Sequence, residues 1–86
     1  MKQNAKLYTF RVIIEPEKPR GYHGFVPLLP GLHTFGEDID EVKKNLKEAI
    51  ICHLQGLLKD GESIPEEGEV FESIQTFSEK ELVSTR

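Results

Sequence analysis

The sequence predicts an α+β domain of order β-β-β-α-β, in which a mostly antiparallel sheet carries one long helix packed across one face. Three observations lead there. Segments of alternating apolar and polar residues, separated by turns rich in Pro and Gly, fill the chain as far as Gly36. An apolar period of 3.6 residues then runs from about residue 39 to 60. A further β-like segment, Val70-Phe71-Glu72-Ser73-Ile74-Gln75-Thr76-Phe77, follows the acidic connector Glu66-Glu67-Gly68-Glu69.

The first strand is expected over residues 7 to 15, with Tyr8, Phe10, Val12 and Ile14 on one face and Thr9, Arg11 and Glu15 mostly on the other. Pro16 ends it, and Pro16-Glu17-Lys18-Pro19-Arg20-Gly21 is too rich in turn formers to pair, so it reads as a hairpin loop. A second strand follows near 22 to 27, where Pro27 lacks a backbone donor and confines its position to a strand end or sheet edge. After the turn Leu28-Leu29-Pro30-Gly31, a short third strand is expected at about 32 to 36. Asp38 and Glu41 have the spacing of a capping box, so a helix starts there. At 100° per residue, Ile39, Val42, Leu46, Ala49, Ile50, His53, Leu54 and Leu57 share one arc, and Gly61 supplies a left-handed stop. In the last strand Val70 and Ile74 oppose Phe71 and Phe77, so the alternation does not choose a buried face. Ser78 with Glu81 repeats the capping pattern, but residues 78–86 read as a frayed tail.

An 86-residue chain is expected to be a single domain, and one this small buries only about 60% of its unfolded surface, so self-association is a plausible supplement to its core. The net charge of -4 argues against a phosphate backbone as main partner; it suits a basic protein, and plain solubility equally. Cys52 is the single cysteine, which excludes an intramolecular disulfide and a multi-cysteine zinc site and fits a reducing compartment. The N-terminus begins like a secretory leader, but Arg11 and Glu15 interrupt any signal core. No apolar run approaches the ~20 residues of a membrane span. A soluble cytoplasmic protein is the expectation.

The candidate chemistry is sparse. His23, His33 and His53 form no i, i+4 pair and have no carboxylate in a ligand motif, so no metal site is expected. His23 and His33 fall on neighbouring strands and are within reach of meeting. Cys52 points about 100° away from His53 around the helix, toward Glu48, Gln55 and Lys59, and makes no nucleophile-base couple. Glu66, Glu67 and Glu69 sit on a connector without a defined face, and Lys43, Lys44 and Lys47 are interleaved with Asp40, Glu41 and Glu48 as on an ordinary mixed-charge helix. No Gly-rich loop opens a helix to cradle phosphate. No catalytic residue and no cofactor is therefore expected.

The stretch Gly21-Tyr22-His23-Gly24-Phe25-Val26-Pro27-Leu28-Leu29-Pro30-Gly31-Leu32-His33-Thr34-Phe35-Gly36, preceded by Val12-Ile13-Ile14-Glu15-Pro16 and followed by a helix closing in Lys59-Asp60-Gly61, resembles the signature hairpin of HicB-like antitoxins, written roughly G-Y-x-A-x-V-P-x-L-P-G-C-x-T-x-G. Roughly two thirds of the chain is covered. It departs from the pattern at Gly24, Leu28 and Leu32, where the family often has a small residue such as Ala, a polar residue and Cys. The resemblance implies a partial ribonuclease H fold without its acidic site, for which Glu15 alone is insufficient. It implies a non-enzymatic antitoxin of a type II HicAB-like system, which binds and occludes a small basic HicA-like toxin that degrades messenger RNA. The C-terminal DNA-binding domain common in the family has no counterpart here, so a single HicB-like domain over 1–86 without direct nucleic acid binding is expected. An orphan binding or assembly module and a small-ligand-binding protein are the alternatives.

Phe25, Leu28 and Leu29 are the candidate anchors for that partner, because the hairpin carries more apolar surface than solubility requires; packing under the helix is their other possible role. Ile51, Leu54 and Leu58 widen the helix's apolar arc to about 200°, more than one sheet face covers. The surplus is left for the C-terminal segment or for another subunit in a homodimer or higher oligomer.

Overall fold

The computed structural model describes residues 6–69 and 71–83. In order they form β1 (Ile13–Pro16), β2 (Tyr22–Phe25), β3 (His33–Gly36), α1 (Ile39–Lys59) and α2 (Glu79–Val83). The strands make one antiparallel sheet of order β1-β2-β3. Its register aligns Ile14, Gly24 and Thr34 in one row and Ile13, Phe25 and His33 in the next.

β1 is shorter than the period-2 pattern predicts, and the reason lies in its partner. Beyond Phe25 the chain turns away: the Leu29 amide donates to the Val26 carbonyl at 2.9 Å, around Pro27, which has no amide to offer a ladder. A second turn follows at once, with the Leu32 amide donating to the Leu29 carbonyl at 3.1 Å. Pro30 and Gly31 occupy its centre, and Gly31 takes the positive φ of 87° that a type II turn requires. Residues 6–12 thus continue past the end of the ladder, with Tyr8, Phe10 and Val12 turned toward α1.

α1 begins and ends where its capping chemistry places it. The Glu41 amide donates to Asp38 Oδ1 at 2.8 Å, and Glu41 Oε1 accepts from the Glu37 amide at 2.7 Å. At the other end Gly61 adopts φ 73°, and the amides of Gly61 and Glu62 donate to the carbonyls of Leu58 and Leu57, a Schellman closure.

The core consists of Val26, Leu29, Leu32, Val42 and Leu46, with Phe10, Ile14, Tyr22, Ala49, Ile50 and Leu54 packed around it. Two glycines let the helix descend onto the sheet. A Cβ on Gly24 would stand 2.6 Å from Val42 Cγ1, and one on Gly36 would stand 2.7 Å from the Val42 backbone nitrogen.

The C-terminal third departs from the predicted order. No strand forms over residues 71–77; Phe71 and Ile74 are 90% and 94% exposed, and Phe77 is exposed as well. The opposed placement of these apolar residues leaves no single face to bury. What holds the connector is charge: Lys6 Nζ lies 2.8 Å from Glu66 Oε2, Arg11 Nη1 lies 2.7 Å from Glu72 Oε2, and the Arg11 amide donates to Glu67 Oε2. Where a frayed tail is predicted, Ser78 caps one turn of helix, α2, through reciprocal hydrogen bonds with Glu81. The radius of gyration, 18.2 Å, exceeds the roughly 12 Å of a compact chain of this length.

Candidate functional site

α1 packs on one face of the sheet and leaves the other open. Side chains alternate along a strand, so the residues next to Ile14, Gly24, Thr34 and Gly36, which face α1, point to the open side. They are Ile13 and Glu15 from β1, His23 and Phe25 from β2, and His33 and Phe35 from β3.

Phe25 is the centre of this face. Its ring stacks on His23 at a centroid distance of 6.0 Å and on His33, its cross-strand partner, at 5.7 Å. The two histidines that the sequence puts on neighbouring strands therefore meet through Phe25, not with each other. Phe35, 46% exposed, extends the apolar surface beside His23. Acids border it. His23 Nδ1 lies 2.8 Å from Glu17 Oε1, and its Nε2 lies 3.2 Å from Glu15 Oε1. The Nδ1 contact has hydrogen-bond geometry, whereas the Nε2 contact is an ion-pair distance only. An apolar centre with a carboxylate rim has the composition of a protein-docking patch more than that of a catalytic cleft. Among the described residues, no group of three or more His, Cys, Asp or Glu side chains is placed to hold a metal ion.

The predicted anchors separate. Phe25 is half-buried on the open face, and Leu28 is half-buried in the turn. Leu29 is only 2% exposed and sits in the core, so it is a packing residue; the turns on either side of it point its side chain under α1. Of the predicted self-association residues, Ile51 and Leu58 are exposed, whereas Leu54 is half-buried against the core. His53, placed on the apolar arc by its period, is exposed beside Pro30, Gly31 and His33. Sequence reasoning missed Phe35, Ile13 and the Glu15 and Glu17 rim. The signal that finds them is the pair of glycines at 24 and 36, which marks the face the helix takes; strand residues of the opposite parity fall on the other.

The model of the HicB-like antitoxins of bacterial toxin-antitoxin systems matches residues 10–84. The chain belongs to this family. A UPF0150 protein of Synechocystis is 34% identical over 62 residues, which are 72% of this chain and 78% of that one. A UPF0150 protein of Thermotoga maritima is 44% identical over 50 residues, 58% of this chain and 65% of its own. The crystal structure of the N-terminal domain of the Burkholderia pseudomallei antitoxin HicB superposes with a TM-score of 0.60 at 31% identity, over 87% of this chain and 79% of that chain. Two of the three departures of this HicB-like chain from the signature find physical reasons in its fold. Gly24 stands where Val42 leaves no space for a Cβ, and Leu32, 9% exposed, contributes to the core.

Proposed function

We propose that this HicB-like chain is the antitoxin of a type II HicAB-like pair, acting without turnover in the cytoplasm by binding and occluding a small basic ribonuclease of the HicA kind. The observation that carries the reading is the open sheet face, with Phe25 and Phe35 as apolar anchors and Glu15 and Glu17 at their edge. Association energy in such patches concentrates in a few desolvated aromatic anchors. Rim carboxylates and a net charge of -4 raise the encounter rate with a cationic partner and make it sensitive to salt. Inhibition is then steric: a toxin surface seated on the sheet is closed to RNA.

Co-expression with a small basic HicA-like toxin, sought in the adjacent reading frame, tests the proposal. The pair is expected to copurify and to restore growth arrested by the toxin. A Phe25→Ala/Phe35→Ala protein, folded by circular dichroism, is expected to lose both properties, and Glu15→Lys is expected to slow association most at low salt. Failure of the unaltered pair to associate rejects the antitoxin assignment. Capture undiminished in the double variant rejects this face as the docking site.

A further inference from the structure

A groove between the N-terminal segment and α1 has its charge at one end and its apolar surface at the other. It has a volume of about 330 Å3 and runs between Tyr8, Phe10 and Val12 on one wall and Ile50 and Ile51 of α1 on the other, with the buried Leu46 among its lining residues. Tyr8, Val12 and Ile51 are exposed large hydrophobics, so the walls are surface that the fold leaves uncovered. Lys43 and Lys47 line the groove as well, and neither makes an ion pair among the described residues. No carboxylate among the described residues lines it. Lys6, which stands 5.3 Å from the centre of the Tyr8 ring, is already held by Glu66. On α1 the two unpaired lysines are one turn apart, within reach of a single anion, and Ile50 and Ile51 occupy the next turn. The cationic end and the apolar end are thus segregated along the ~12 Å of helix between residues 43 and 51.

We propose that this groove binds a medium-chain fatty carboxylate, with the head group between Lys43 and Lys47 and the chain laid along Phe10, Val12, Ile50 and Ile51. Burial of the chain supplies the driving force, and the two ammonium groups select an anionic head over a neutral or cationic one. The size of the groove points to a small molecule. Its volume falls at the lower end of the roughly 300–1,000 Å3 of ligand sites. A folded protein partner would engage about 20–30 residues of this chain, whereas eight line the groove. The cationic partner proposed for the open sheet face is a poor electrostatic match here, and the two sites share no residue, so each is tested separately.

Decanoate is the probe, titrated below its micelle concentration into the full chain and followed by backbone amide NMR. Saturable one-to-one binding is expected, with the shifted amides concentrated in residues 8–12 and 43–51, and with decanol and decyltrimethylammonium binding more weakly. Lys43→Gln/Lys47→Gln replaces two exposed side chains, so it is expected to stay folded and to weaken decanoate by about tenfold while leaving decanol unchanged. Ile51→Ser is expected to weaken both. The proposal is overturned by a titration that does not saturate, by shifts centred elsewhere, by decanol or the cationic amphiphile binding as tightly as decanoate, or by decanoate binding undiminished in the lysine variant. Association with phosphatidylglycerol vesicles in the absence of decanoate binding overturns it in favour of a membrane surface. An acidic helical peptide that occupies the groove when decanoate does not overturns it in favour of a protein partner.

Discussion

Replacing Gly24 by alanine probes how closely the helix is seated on the sheet. The added Cβ would lie 2.6 Å from Val42 Cγ1 and 2.8 Å from Leu46 Cδ1. Carbon atoms in contact sit at about 3.5–4.0 Å, so these side chains must retreat by roughly 1 Å. Val42 is 0% and Leu46 2% exposed, and both belong to the same cluster, so their retreat disturbs the core. Overpacking of this kind costs about 1–3 kcal/mol, and two buried clashes place it toward the upper end. The better strand propensity of alanine returns roughly 0.5–1 kcal/mol. A net loss of about 2 kcal/mol lowers Tm by ~8–16 °C in a domain of this size. Gly56→Ala is the control, since its Cβ meets nothing within 4 Å and improves a helix interior by about 1 kcal/mol. Thermal melts followed at 222 nm read both. A Gly24→Ala protein that melts at or above the temperature of the parent chain would refute the close approach.

Leu29→Asp places an unpaired charge in the core and is expected to abolish the cooperative melt, whereas Leu28→Asp in the same turn keeps it; a folded Leu29→Asp protein contradicts the assignment of Leu29 to packing. Thr34 Oγ1 is buried without a hydrogen-bond partner, so Thr34→Val is expected to raise stability by about 1 kcal/mol in a denaturant titration, and an unchanged midpoint would mean that the hydroxyl is satisfied. The hydrogen bond to Glu66, with the Glu66 charge, raises the Lys6 ammonium above its ordinary 10.5. A raised folded value means that the pair's contribution is fully present below pH 10.5 and is lost as the pH climbs through the folded value. NMR titration of the Lys6 side chain is expected to show this elevation and its disappearance in Glu66→Gln; an identical titration in both proteins removes the pair.

The elements legible in the sequence are those decided within a few residues. Asp38 with Glu41 and Gly61 fix the ends of α1 because caps are local chemistry, and Pro30-Gly31 fixes a turn because it needs a positive φ. β1 was less legible, since its length depends on where another strand turns away. Leu28 and Leu29 are equivalent in hydropathy, and only the two consecutive turns around them decide which is buried. The segment 70–77 has β composition, but composition does not supply a partner, and its described residues stay unpaired. The candidate face is half legible: the sequence points to Phe25 as a candidate anchor, while Phe35 and the acidic rim follow only once the helix-bearing face is known.

The smallness of the core ties the fate of the chain to its company. Among the described residues five hydrophobic side chains are buried, four of them fully, with no buried polar network to reinforce them. Native domains retain only several kcal/mol of stability, and this one stands at the small end of the range. A partner present at a hundred times its Kd adds about 2.7 kcal/mol to the folded state, a large fraction of that reserve. Bound copies therefore open rarely, while unaccompanied copies open more often and present cleavable backbone to proteases. Abundance becomes a readout of binding: the pool of intact molecules rises and falls with the supply of whatever they hold.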